Sequence, residues 1–159
     1  MLYAGIVVVF VVLDQIVKYL VRANIALGEV VGFIPHLLGL TYVRNTGAAF
    51  SILSAHTWLL TLVSAAASVA IAAAIWKNVF RHPVGKLILS VILAGAVGNL
   101  IDRALFGYVT DMFKTLFMNF AVFNVADICV VCGGIAMVVY VLFFYDKLEA
   151  PDGNDPSDR

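Results

Sequence analysis

The sequence predicts an all-α membrane protein: four transmembrane helices with a small extracytoplasmic β-sheet and an interfacial aromatic segment. Three observations predict it. First, the 159 residues are 63% hydrophobic and only 13% charged, whereas soluble domains hold about 45–50% apolar and about 25% charged residues. Second, four apolar stretches, 2–21, 58–76, 87–105 and 124–145, approach the roughly 20 helical residues that cross a hydrocarbon core of about 30 Å. Third, the polar residues are sorted to the ends of those stretches and to the segments between them.

The first stretch lacks a basic leading region and carries Asp14 and Lys18 among its apolar residues, so it reads as a retained span and not a cleavable signal peptide. Segment 22–57 is too long to be structureless in a compact protein. Within it, 30–34 and 38–44 are rich in β-formers, with Pro35 and Gly39 as breakers, which predicts a small sheet. The second span is bracketed by the two tryptophans, Trp58 and Trp76, one suited to each interface. The short link after it holds Lys77, Arg81, His82 and Lys86. Cationic short loops stay cytoplasmic, so both termini are expected inside, and segments 22–57 and 106–123 outside. Arg22, Arg44, Arg103 and Lys114 fall on the outer side, so the bias is modest. Segment 106–123 carries Phe106, Tyr108, Phe113, Phe117, Phe120 and Phe123 and is expected to lie in the interface. Residues 1–145 form one membrane domain. The stretch 146–159, with five acids, Pro151, Gly153 and Pro156, reads as a disordered cytoplasmic tail.

Net charge is zero, which gives no footprint for a nucleic-acid partner. Cys129 and Cys132 form a C-x-x-C inside an apolar run without a second ligand pair nearby. A zinc site needs about four ligands, so they read as small packing residues. There is no H-E-x-x-H, and His36, His56 and His82 are scattered through loops, which argues against a metalloprotease. No metal or cofactor is expected.

The remaining polar residues converge on one depth. Asp14 and Lys18 lie one turn apart in the outer half of span one. Asn99 and Arg103 stand i,i+4 at the outer end of span three, and Asn124 and Asp127 i,i+3 at the outer start of span four. Asp111 follows span three closely, and Asn45 follows the expected sheet. Singly, most have bland readings: Asp14–Lys18 as a structural ion pair, Asn124 as a helix cap, Arg103 as a snorkelling cation, Asp102 as a headgroup-facing acid. Asp111 and Asp127 together do not, because ionisable groups at a membrane site are costly and mark function. Two aspartates can share one proton: the ionised one deprotonates a water that attacks a peptide carbonyl, and the protonated one donates to the developing oxyanion and then to the leaving amine. Ser90, four residues after Lys86, has the spacing of a Ser–Lys hydrolase but lies at the opposite end.

At these residues the chain resembles the lipoprotein signal peptidase (signal peptidase II) family. The matching blocks run in order: D-Q-I-V-K at 14–18, N-T-G-A-A-F-S at 45–51, G-N-L-I-D-R at 98–103, G-Y-V-T-D at 107–111 and F-N-V-A-D at 123–127. The resemblance implies an intramembrane aspartyl endopeptidase with Asp111 and Asp127 as the catalytic pair. It places Asn45, Asn99, Arg103 and Asn124 as supporting or substrate-binding residues, and Asp14 and Lys18 as structural ones. Met112 stands where an aromatic residue often follows the aspartate. The implied substrate is a diacylglyceryl-modified bacterial prolipoprotein, cut just N-terminal to its lipidated cysteine. The implied setting is the cytoplasmic (inner) membrane, with membrane lipid as a further partner and the enzyme a monomer. Gly47, Ala48, Ala49, Gly95 and Gly98 offer little bulk, so substrate helix or lipid is expected to approach there. The alternative from another class is a small four-span proton-coupled exporter working through Asp14.

Overall fold

The computed structural model describes residues 1–47 and 57–149. In chain order they form helix α1 (Leu2–Asn24), strands β1 (Val30–Ile34) and β2 (Leu38–Asn45), helices α2 (Thr57–Trp76) and α3 (Pro83–Phe106), strand β3 (Val109–Thr115), helix α4 (Val125–Phe143) and a one-turn helix α5 (Tyr145–Leu148). Four of these helices, α1 to α4, are long and apolar enough to cross a membrane. Their ends follow local chemistry. Pro83 opens α3 behind His82, whose ring accepts from the Val84 N–H, because an N1 proline gives up a donor the helix would waste. Gly107 closes α3 at φ 72°, a left-handed C-cap that suits a residue without Cβ.

α3 is the central post, packed against α1, α2 and α4. Its contact with α4 is close because glycines permit it. A Cβ on Gly95 would stand 2.4 Å from the Ala126 carbonyl oxygen, and one on Gly133 would stand 2.6 Å from the Ile92 side chain. Most large apolar side chains on the helices point outward, among them Val8, Leu62, Val69, Ile135 and Leu142, as lipid-facing residues do.

The expectation for 106–123 named no strand. Residues 109–115 are the third strand of a sheet ordered β1-β2-β3, antiparallel throughout. The strand was hidden because T-D-M-F-K-T interrupts any clean polar and apolar alternation. Between β2 and β3 the register shifts: Leu40 pairs with Phe113, yet Val43 pairs with Asp111. Thr41 and Tyr42 therefore share Met112 as their opposite number, a β-bulge. The bulge decides which side chains meet. In a pleated pair, opposite residues and their i±2 neighbours share a face, so Asn45 joins Asp111 on one face. Tyr42, Arg44, Thr110 and Met112 take the other. Without the bulge, Arg44 would stand where Asn45 does.

The second face packs on the end of α1 through a small core of Val21, Tyr42 and Met112. Met112 is fully buried there, which explains an aliphatic residue after Asp111. Beyond α4, Glu149 accepts hydrogen bonds from the Arg81 and His82 backbone N–H groups and the Tyr140 hydroxyl. Residues 145–148, within or beside the stretch read as a polar tail, are thus helical and tied down. The remainder of that stretch, 150–159, lies outside the described residues.

Candidate active site

Five elements deliver the predicted polar residues to one place. β3 brings Asp111, β2 brings Asn45, α3 brings Asn99 and Arg103, the start of α4 brings Asn124 and Asp127, and α1 supplies Asp14 and Lys18 behind them. Asp111 accepts from Asn45 Nδ2 at 2.9 Å through Oδ2, and from Asn124 Nδ2 at 2.6 Å through Oδ1. Asn124 Nδ2 also reaches Asn99 Oδ1 at 3.1 Å, and Asn99 Nδ2 donates to Asp127 Oδ1 at 2.8 Å. The two carboxylates are thus joined by a relay of two carboxamides.

Asn124 does two jobs. It is the N-cap of α4 and closes a reciprocal capping box with Asp127, which satisfies otherwise orphaned helix-start N–H groups. Its amide is left to face Asp111. Asp127, three residues into the helix, receives the Asn124 backbone N–H at 3.1 Å as well as Asn99. A carboxylate there also feels the positive end of the helix dipole. Asp111 sits differently. Burial pushes its carboxyl up, the Asn45 hydrogen bond pulls it back, Asp127's charge pushes again, and the result is about 6. Desolvation outweighs two amide donors because the ionised form has so little water to lose itself in.

Behind this pair lies a buried charge network. Lys18, fully buried, reaches Asp14 Oδ2 at 2.9 Å, Asp102 Oδ2 at 3.5 Å and Asn99 Oδ1 at 2.9 Å. Asp14 Oδ1 accepts from the Ala126 N–H at 2.9 Å, so it pins the start of α4 to α1. Asp102 is not the headgroup-facing acid its sequence position suggested. It is wholly buried and accepts from the Thr110 N–H at 2.8 Å and from Gln15 at 3.3 Å. Asp102 is one turn from Gly98, on the flank of α3 that α1 covers, which the sequence could not reveal without knowing the packing. Gly98 is not open to lipid either: a Cβ there would stand 2.6 Å from Asp14 Oδ2. Gly95 and Gly98 thus serve helix packing, correcting the expectation that substrate approaches them. Ala48 and Ala49 lie outside the described residues.

Arg103 touches neither aspartate. Its Nη1 reaches Ser64 Oγ of α2 at 3.4 Å, and its Nε is buried with no hydrogen-bond partner among the described residues. Ser64 was not foreseen, since one serine in an apolar span carries no signal alone. Asp111, Asp127, Asn45, Asn99 and Arg103 line a cavity of about 430 Å³ whose other walls are apolar apart from Ser64, including Val63, Ala67, Val130 and Val131. α2 and α4 each pack on α3, and the cavity opens between them. A second cavity of about 400 Å³ adjoins it at Val43, Arg44, Asn45, Asp111 and residues 119–122.

A membrane-spanning bundle holding two carboxylates in an apolar-walled cavity defines the class, and comparison with known proteins defines the family. A model of the family described as Signal peptidase (SPase) II matches residues 6–143. The lipoprotein signal peptidase of Enterococcus faecalis is 44% identical over 143 residues, covering 90% of this chain and 88% of that one. That of Lactococcus lactis subsp. lactis is 40% identical over 139 residues, covering 86% and 91%. A solved bacterial membrane enzyme superposes with a TM-score of 0.84 at 30% identity, covering 96% of this chain and 93% of its own. The chain belongs to the signal peptidase II family. The exporter alternative falls with that finding, and Asp14, its one support, is committed to Lys18 and the start of α4.

Proposed function

We propose that this chain removes signal peptides from prolipoproteins by an aspartic mechanism run by Asp111 and Asp127. Membership of the family makes it a peptidase of that substrate class; the residues and steps are our reading. The observation that carries it is the unequal setting of two carboxylates on one cavity. Asp111 is buried with its carboxyl pushed up to about 6. Asp127 accepts two N–H groups at the start of α4. Environments that separate two acids in this way assign acid and base roles. Asp127 takes a proton from a water placed between the pair, and that water attacks the scissile carbonyl. Asp111 donates to the carbonyl oxygen as charge develops and then passes its proton to the leaving amine. Arg103, with a buried donor unmet among the described residues, suits the substrate backbone: an unsatisfied buried N–H costs about 1–3 kcal/mol, which a bound carbonyl would recover. Asn45 and Asn124 hold Asp111, while Asn99 holds Asp127 and ties the pair to Lys18.

In this reading, residues 1–145 are the peptidase domain and work as a monomer. The cationic 77–86 link and both termini are cytoplasmic, and the sheet and dyad lie near the outer leaflet. The substrate's signal helix lies laterally between α2 and α4, against the apolar wall. Its diacylglyceryl group keeps acyl chains in the bilayer, where each buried methylene contributes about 0.8 kcal/mol, and so confines the bond before the lipidated cysteine to the depth of the dyad. Lipidation then acts through positioning. The test compares one prolipoprotein with and without its diacylglyceryl group at matched detergent and enzyme. Faster signal-peptide release from the lipidated form is expected, and equal rates would refute the positioning role.

A further inference from the structure

The face of β2 and β3 turned away from the dyad carries a ladder of cations and rings. Arg22, in the last turn of α1, lies 4.7 Å over the Phe106 ring. Phe106 stands 5.8 Å from Tyr108, and Arg44 lies 5.1 Å over Tyr108 and 5.5 Å over Tyr42. The hydroxyls of Tyr42 and Tyr108 meet at 3.1 Å, and Arg44 Nε donates to Tyr42 at 2.8 Å. Arg22 Nη1 donates to Thr110 Oγ1 at 2.9 Å and lies 3.8 Å from Asp102.

Charge counting shows an excess. Asp14 and Asp102 are balanced by Lys18 and Arg22. Arg44 is exposed and has no acid partner among the described residues. Its Nε is spent on Tyr42, which fixes the guanidinium plane and leaves its two terminal nitrogens free among the described residues. The ladder stands where α1 and α3 end, the depth of lipid headgroups for helices that span a membrane. A planar guanidinium binds phosphate through paired N–H bonds, and the anion a bilayer presents at this depth is the phosphodiester of its lipids.

We infer that Arg44, flanked by Arg22 on the Phe106–Tyr108–Tyr42 platform, is a binding site for the phosphate of a membrane phospholipid. The site does not depend on the catalytic reading, since it uses neither aspartate, although Arg44 also borders the cavity of about 400 Å³ beside Asp111. It has a consequence for that face, because Arg44 precedes Asn45: a headgroup held by Arg44 steadies the strand that presents Asn45 to Asp111.

The test uses the full-length protein in a maltoside detergent, which has no phosphate. A short-chain phosphatidylglycerol is titrated while bound lipid is counted by native mass spectrometry and thermal unfolding is followed. Saturable binding with a raised Tm is expected. Diacylglycerol with the same acyl chains should produce neither. Arg44→Gln, a change at an exposed side chain, should weaken binding about tenfold, the loss of about 1.4 kcal/mol. Arg44→Lys, which keeps the charge but not the fork, should fall between. Equal response to diacylglycerol, unchanged affinity in Arg44→Gln, or the same stabilisation by inorganic phosphate alone would each overturn the assignment to a phospholipid.

Discussion

At the scale of the residue, the two aspartates differ in what surrounds them, and that difference is measurable. Asp111→Asn and Asp127→Asn keep shape but remove the proton-transfer group. Each should abolish signal-peptide release while the protein still inserts and purifies folded. The pH dependence follows from Asp111, whose carboxyl is raised from 3.8 to about 6 by burial. As the acid, it must be protonated, so kcat/KM of the free enzyme should fall on the alkaline side through a pKa at or above about 6. The stability sign is the reverse of the usual carboxylate: the folded protein holds this proton more tightly than the unfolded chain. Its contribution is complete below pH 3.8 and is lost as pH rises through about 6. Thermal unfolding followed across pH 4 to 7 should show this fall in the parent and not in Asp111→Asn. Asp111 and Asp127 could be paired from the sequence because a bland reading is weaker for two acids expected at one depth, and the two line one cavity. Asp102 was not, since its partners Lys18, Gln15 and the Thr110 N–H come together only through packing.

At the scale of the element, α1 and α3 meet around Lys18, and α3 and α4 meet around glycine. Reading Asp14 and Lys18 as an isolated i,i+4 pair implies that removing Asp14 strands the lysine. The geometry changes that, for Lys18 keeps Asp102 and Asn99. Lys18→Met is the harsher change, leaving two buried acids short of their shared cation. Breaking a buried pair costs about 3–5 kcal/mol, and thermal unfolding should rank Lys18→Met well below Asp14→Asn. A ranking in the other order would contradict the network. Gly95→Ala places a Cβ against the Ala126 carbonyl, a backbone atom that moves only with α4. Overpacking of this kind costs about 1–3 kcal/mol, and it should also cut turnover by moving Asp127 away from Asn99. The helices and two of the three strands were readable from hydropathy and β-formers. The third strand and its bulge were not, because register belongs to the pairing and not to either strand alone.

At the scale of the whole molecule, one end of the bundle carries the charged residues that the described helices bury, Asp14, Lys18 and Asp102, and the sheet divides it into a dyad face and an arginine face. The cationic 77–86 link predicts that this end is outside the cytoplasm. A cysteine replacing Lys114 should react with an impermeant thiol reagent in intact spheroplasts, and one replacing Asn78 should not; the inverted pattern would reverse the topology. As proposed, the substrate lies in the bilayer against the apolar cavity wall, and the carboxylate pair supplies the chemistry. The most direct measurement of that claim is incubation of the detergent-purified protein with a synthetic diacylglyceryl prolipoprotein, read on a gel beside Asp111→Asn, Asp127→Asn and the double mutant. A catalytic dyad of Asp111 and Asp127 requires release of the signal peptide by the parent protein and by none of the three variants. Release by either single variant at a rate near the parent's would contradict it.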